Sequence, residues 1–120
     1  MLDSNNSPPS VEDVFTVLGN SRRRQVILQV AHAQNPIPAS EIARDIAATE
    51  HDTTPGRVTG EQRSRVYIAL IQTHFPLMDE LGLIEFGDET RIVSETNNTQ
   101  PLANLIEFIR TACNAARGDT

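Results

Sequence analysis

The chain has no lysine. All of its 10 basic residues are arginine, set against 16 acidic residues, for a net charge of -6. It has one cysteine, Cys113, which excludes an internal disulfide and points to a reducing compartment. No apolar run reaches membrane-spanning length, and Met1 to Ser10 is polar and proline-containing. Neither a transmembrane helix nor a signal peptide is therefore expected, and a cytoplasmic location is. No nucleophile motif, phosphate loop or pair of catalytic carboxylates is present, so enzymatic activity is not expected. Glu50-His51-Asp52 is the one cluster that resembles metal ligands. It lacks a second histidine or cysteine at ligand spacing, so neither a metal nor another cofactor is expected. There is no internal repeat.

An acidic surface that carries arginine in place of lysine suits a cytoplasm rich in salt. Salt also changes what charge can do. The screening length falls to ~3 Å at 1 M, and phosphate-driven affinity for nucleic acid falls steeply with salt. Contact with DNA under such conditions has to rest on short hydrogen bonds, base edges and shape. The negative net charge does not exclude DNA, but it withholds the usual basic footprint.

At 120 residues the chain is read as one domain with a modest core. Residues 1–9 are expected to be a disordered tail. Ser10 is a natural N-cap with Asp13 three residues on, and Val11, Val14, Phe15 and Leu18 mark the inner face of a first helix. Gly19-Asn20 breaks it. Ser21 can cap a second helix with Val26, Ile27, Val30 and Ala31 inward, which Asn35-Pro36-Ile37-Pro38 ends. Ser40 is expected to cap a third helix, Glu41 to Glu50, with Ile42, Ala43, Ile46 and Ala47 inward. His51 to Gly60 reads as a polar loop. Pro101 is expected to begin a last helix that runs to Ala116.

The most informative stretch is Arg63 to Val93. Val66, Leu70, His74, Leu77 and Leu81 recur every three or four residues, which predicts a long helix with one apolar face. Pro76 should kink it or begin a new turn after His74, and His74 itself reads as a packed core histidine. Gly82 is a helix stop. Leu83-Ile84-Glu85-Phe86 and Arg91-Ile92-Val93 then flank the polar tip Gly87-Asp88-Glu89-Thr90, a hairpin pattern. A long helix running into a small hairpin is the signature end of a winged helix-turn-helix, a module that places one helix in the DNA major groove. Upstream, the segment Val14 to Leu28 with its Leu18-Gly19 and Arg22-Arg23-Arg24 resembles the opening of arsenical-repressor-type winged-helix regulators. The wording GNSRRR together with HFPLMDELGLIEF resembles a haloarchaeal winged-helix family of unknown function, over about Val11 to Glu95.

That resemblance implies a support helix around Ile42 to Ile46 and a reading helix that begins near Gln62. The connection from His51 to Gly60 is longer than the ~3–4-residue turn of that motif. On the reading helix, Gln62, Arg63, Arg65, Gln72 and Thr73 are the candidate DNA contacts, since Arg pairs bidentately with guanine and Gln with adenine. Arg65, Ala69, Gln72, Pro76 and Asp79 fall on one stripe. Arg91 could reach a phosphate from the wing, yet Asp88 and Glu89 make the wing tip acidic, which argues against minor-groove insertion. Arg22, Arg23 and Arg24 stand in a first helical turn, where cations oppose the helix dipole. Phosphate contact and pairing with acids such as Glu12 or Asp13 are both open to them, and at least one is expected to be structural.

Leu102, Leu105, Ile106, Ile109 and Cys113 form an apolar stripe on the last helix, with Phe108 beside it. Two copies could pair along that stripe in a homodimer; the other use is packing onto the chain's own first helix. The sequence thus points to a mainly α winged helix-turn-helix with a small β-hairpin wing over residues 10–96. A dimerisation helix at 97–117 and a short tail at 118–120 follow. The expected function is a homodimeric transcriptional regulator that binds double-stranded DNA in an archaeal, halophilic cytoplasm, with no membrane partner. The competing class is a winged-helix module that binds another protein and makes little or no DNA contact.

Overall fold

The structure is a computed structural model, and it describes residues 8–117. The predicted tails at 1–9 and 118–120 fall almost wholly outside the described residues. Helix α1 (Val11–Leu18) opens with the expected capping box: Ser10 Oγ accepts the Asp13 amide (3.1 Å) and the Asp13 carboxylate accepts the Ser10 amide (3.2 Å). Only one edge of α1 meets the body of the protein. Val17 is buried and Val14 and Leu18 are half-buried, whereas Val11 and Phe15 stay exposed because no described element covers their side. Helix α2 (Ser21–His32) is capped by Asn20 rather than Ser21, through the Arg23 amide, and buries Val26, Ile27 and Val30.

The prolines after α2 do more than stop it. Ile37–Pro38 forms a short strand, β1, that pairs antiparallel with β3 (Ile92–Glu95). It is an edge strand, the place where a residue without an amide proton is tolerated. Helix α3 (Ala39–Glu50) follows at once. Its start is fixed by the Ala39 amide donating to Arg91 O (2.9 Å), not by the side chain of Ser40. Ile42, Ala43, Ile46 and Ala47 point into the core as expected. The helix ends in a Schellman arrangement, with Thr53 N bonding to Ala48 O and Asp52 in the left-handed region at φ 51°.

Between α3 and the next helix, Pro55–Arg57 makes one 3-10 turn. Helix α4 (Gly60–Ala69) starts at a second capping box, Thr59 with Gln62, two residues before the predicted start near Gln62. The long helix is not uniform. Residues Leu70–His74 form a π-turn, and α5 (Phe75–Glu80) continues beyond it. Pro76 explains the irregularity: it has no amide proton, and its ring would meet the carbonyl four residues back in a regular helix. The π-turn absorbs the conflict by bonding the Phe75 amide to Leu70 O, five residues back. The extra residue also shifts the helix phase. The buried set becomes Val66, Leu70, His74, Phe75 and Met78, while Leu77 and Leu81 are only half-buried.

Gly82, at φ 77°, ends α5 through a Schellman pair, Leu83 N to Met78 O and Gly82 N to Asp79 O. Strand β2 (Ile84–Phe86) then pairs antiparallel with β3 in the register Ile84 to Glu95 and Phe86 to Val93, so the sheet order is β1-β3-β2. The Asp79 carboxylate accepts the Phe86 amide (2.7 Å), and the Phe75 and Phe86 rings stand 5.0 Å apart. Both contacts tie the hairpin to α5. Helix α6 (Thr99–Ala116) begins two residues before Pro101. Its start is pinned to the end of α5: Thr96 Oγ1 donates to Gly82 O, and the buried Thr99 hydroxyl donates to Leu83 O, each at 2.7 Å. Leu102, Ala103 and Ile106 are buried, and the helix packs on α2. The result is a mainly helical fold with a small three-stranded antiparallel sheet. Among the described residues, no helix is long and apolar enough to cross a membrane.

Candidate nucleic-acid interface

The three consecutive arginines at the start of α2 all turn inward. Arg22 makes a bidentate pair with Glu50 at the end of α3 (Nε 2.6 Å, NH2 2.9 Å), which holds its pKa up and the Glu50 carboxyl below its usual value. Arg23 donates from Nε to His74 Nδ1 (3.0 Å) and from NH1 to Thr16 O (3.1 Å). Arg24 donates to Leu18 O. They thus bind carbonyls of α1, the end of α3 and the π-turn, and none pairs with Glu12 or Asp13. Dipole repulsion at this helix end is offset by internal acceptors. The sequence alone could not show this, because Glu50 and His74 lie 28 and 51 residues away.

His74 is buried, with 8% of its surface exposed. Burial lowers its pKa, and the charges of Arg23 and Arg22 push the same way, against Glu50. Because Nδ1 accepts from Arg23, the imidazole is neutral and carries its proton on Nε2.

The outer face of α4 is different in kind. Arg63 is exposed, and its guanidinium has no partner among the described residues. Arg65 is also exposed, with its charge shared by Glu61 one turn earlier (2.8 Å). Gln62 is half-buried, and its side-chain oxygen accepts the Thr59 amide, so only its NH2 group is left for another acceptor. Gln72 and Thr73 are exposed on the π-turn. Of the predicted stripe, Arg65, Gln72 and Pro76 are exposed, Ala69 is half-buried, and Asp79 is engaged with β2. Two residues on this side did not stand out in the sequence. Arg57 is exposed in the 3-10 turn just before α4, and Ile68 is 51% exposed near the end of α4. A basic residue directly upstream of a helix cap was the available signal for the first; nothing signalled the second.

Arg91 stands exposed at the foot of the β2–β3 tip in the left-handed region, at φ 57°. Its backbone does two jobs there, donating to Gly87 O (2.8 Å) and accepting from the Ala39 amide. Asp88 and Glu89 are exposed beside it. A small groove of about 260 Å³ between α3 and α4 brings Glu50, His51 and Glu61 together with Arg22 and Arg65. Among the described residues no three His, Cys, Asp or Glu side chains gather as metal ligands.

Of the proposed pairing residues on α6, Leu102 and Ile106 lie in the chain's own core against α2. Leu105 and Ile109 are 38% and 37% exposed, and Cys113 is exposed. The final helix therefore packs on α2 rather than on the first helix, and its second half stays open.

This arrangement defines a small helical protein with an exposed, arginine-bearing helix, α4, that leads through α5 into a β-hairpin. By its sequence the chain belongs to the family described as a domain of unknown function, DUF7344, whose pattern matches residues 15–94. The matched region runs from α1 to β3 and stops before α6. No curated protein and no solved structure matches the chain.

Proposed function

We propose that the protein is a winged helix-turn-helix transcriptional regulator that binds double-stranded DNA as a homodimer in a salt-rich archaeal cytoplasm. In this reading α3 supports, the outer face of α4 enters the major groove, and the β2–β3 hairpin is the wing. One observation carries it. Arg57, Arg63 and Arg65 stand exposed at or just before the first turns of α4, and Arg57 and Arg63 have no acceptor among the described residues. Cations at a helix start are unfavourable without a counter-charge. At the start of α2 the fold supplies acceptors; at the start of α4 it leaves Arg57 and Arg63 without them, which suits phosphate or guanine as the acceptor. Gln72 and Thr73 extend the same side, and Arg91 is the hairpin's one cation. The homodimer is supported by the exposed apolar side chains on the second half of α6.

The acidic tip, Asp88 and Glu89, favours the second reading, in which the same face binds a protein and DNA contact is secondary. Selection of bound duplexes from a random pool at molar potassium salt tests the choice. Enrichment of a defined motif is the expected result. An unenriched pool after repeated rounds would favour the protein-binding reading.

A further inference from the structure

Among the described residues, six large apolar side chains are exposed, and five of them lie on two helices: Val11 and Phe15 on α1, and Leu105, Phe108 and Ile109 on α6. Phe15 is 66% and Phe108 71% exposed, so half of the chain's four phenylalanines are left in water. A groove of about 470 Å³ lies between the end of α1, at Leu18, and α6, and of the five side chains Ile109 lines it. Leu18, Ile106 and Ile109 supply its apolar lining, and Arg24, Arg110 and Arg117 its charged rim.

We infer that this surface is a self-complementary seam in which Phe15 of one copy fills the groove of a second copy. The inference rests on the homodimer part of the reading above and moves the seam from α6 alone to α1 with the open half of α6. The occupant follows from charge. Three of the ten arginines line this groove: Arg24 is bound to Leu18 O, Arg110 shares its charge with Glu107 (3.5 Å), and the Arg117 guanidinium has no partner among the described residues; the charged residues of α1 are all acidic, Glu12 and Asp13. Glu12 lies three residues before Phe15, on the same side of the helix, so the ring arrives with a carboxylate beside it. A guanidinium rim also suits an aromatic face. Each copy carries both the knob and the hole, so a two-fold arrangement makes the contact twice and closes. Apolar contact of this kind survives the salt that screens long-range charge.

Cys113, the chain's one thiol, lines the same groove and supplies the test. The experiment is sedimentation of the full chain at high salt, with oxidative cross-linking of a Phe15→Cys variant. Phe15→Ala should keep its helical circular dichroism, because the side chain is exposed. Its dimer dissociation constant should rise about a hundredfold, tenfold for each of two symmetric contacts. Phe15→Cys should form a disulfide between chains, mapped to positions 15 and 113, and the added change Cys113→Ser should abolish that bond. A wild-type dimer that Phe15→Ala leaves equally tight, with no 15–113 bond between chains, overturns the seam and leaves the homodimer standing. A wild-type monomer at micromolar concentration overturns both, and DNA binding measured on the same samples tells whether the regulator reading falls with them.

Discussion

At the scale of single residues, identical side chains do opposite work. Arg22, Arg23 and Arg24 are acceptor-bound, while Arg63 is not. Arg22→Ala breaks a bidentate pair whose side chains are 30% and 29% exposed, and it should cost roughly 1–2 kcal/mol of stability. Arg63→Ala should stay within about 0.5 kcal/mol, as substitutions at free surface positions do. Urea denaturation of both variants checks the contrast, and equal losses would contradict the assignment.

His74 gives the fold a pH dependence. Its pKa is lowered first by burial and then by Arg23 and Arg22, so the unfolded chain takes up the proton more readily. Above about pH 6.5 neither state is protonated there and stability is full. As pH falls through 6.5 and the lowered folded value, stability is lost, because protonation also removes the acceptor that Arg23 uses. The urea midpoint of the wild type should be lower at about pH 5.5 than at about pH 7.5. In His74→Gln, whose amide oxygen can still accept from Arg23, that difference should shrink.

At the scale of elements, two helix ends with the same geometry predict opposite effects. Gly82 sits at φ 77° and Asp52 at φ 51°. Gly82→Ala forces a side chain into the left-handed region and should destabilise by about 1–2 kcal/mol. Asp52→Gly relieves that strain at the end of α3 and should be neutral or stabilising, by up to about 1 kcal/mol. Thermal melts of the pair would show it, and a shift of the same sign in both would contradict the account. Thr99→Val is a third probe. It keeps the shape but removes the hydroxyl that bonds to Leu83 O and the Thr96 amide, at a cost of roughly 1–3 kcal/mol.

These elements also show what a sequence can and cannot reveal. The Ser10 cap, the Gly82 stop and the inner faces of α2 and α3 rest on local rules and on a period of three to four, and they were legible. Strand β1 was not, because two prolines read as a stop and its partners lie far along the chain, Ile37 opposite Val93 and Pro38 opposite Ile92. The π-turn was legible only as trouble at Pro76, since the phase shift depends on which carbonyl the Phe75 amide finds. The inward use of Arg22 and Arg23 depends on Glu50 and His74, acceptors that only tertiary packing brings near. The exposed arginines of α4, Arg63 and Arg65, were legible as candidates, since exposure on an amphipathic helix follows from periodicity; Ile68 was not, because an apolar residue there reads as core.

At the scale of the whole molecule, the core is closed by α2, α3, the α4–α5 helix, the sheet, the first half of α6 and Val17 of α1. Two surfaces are left over: the arginine-bearing face of α4, and the apolar surface of α1 and α6. We propose DNA as the partner of the first and a second copy of the chain as the partner of the second. The central claim is that α4 reads DNA, and Arg63 and Arg65 test it most directly. The measurement is binding of the wild type and the Arg63→Ala/Arg65→Ala double variant to duplexes selected by the wild type, over a range of potassium salt. The double variant should fold normally and bind at least tenfold more weakly, from the loss of contacts worth about 1–3 kcal/mol each. If one arginine meets a base, discrimination at one position should relax; if it meets a phosphate, the salt dependence should flatten by about one unit of slope. Equal affinity and equal salt dependence for the two proteins would remove α4 from the reading surface and contradict the account.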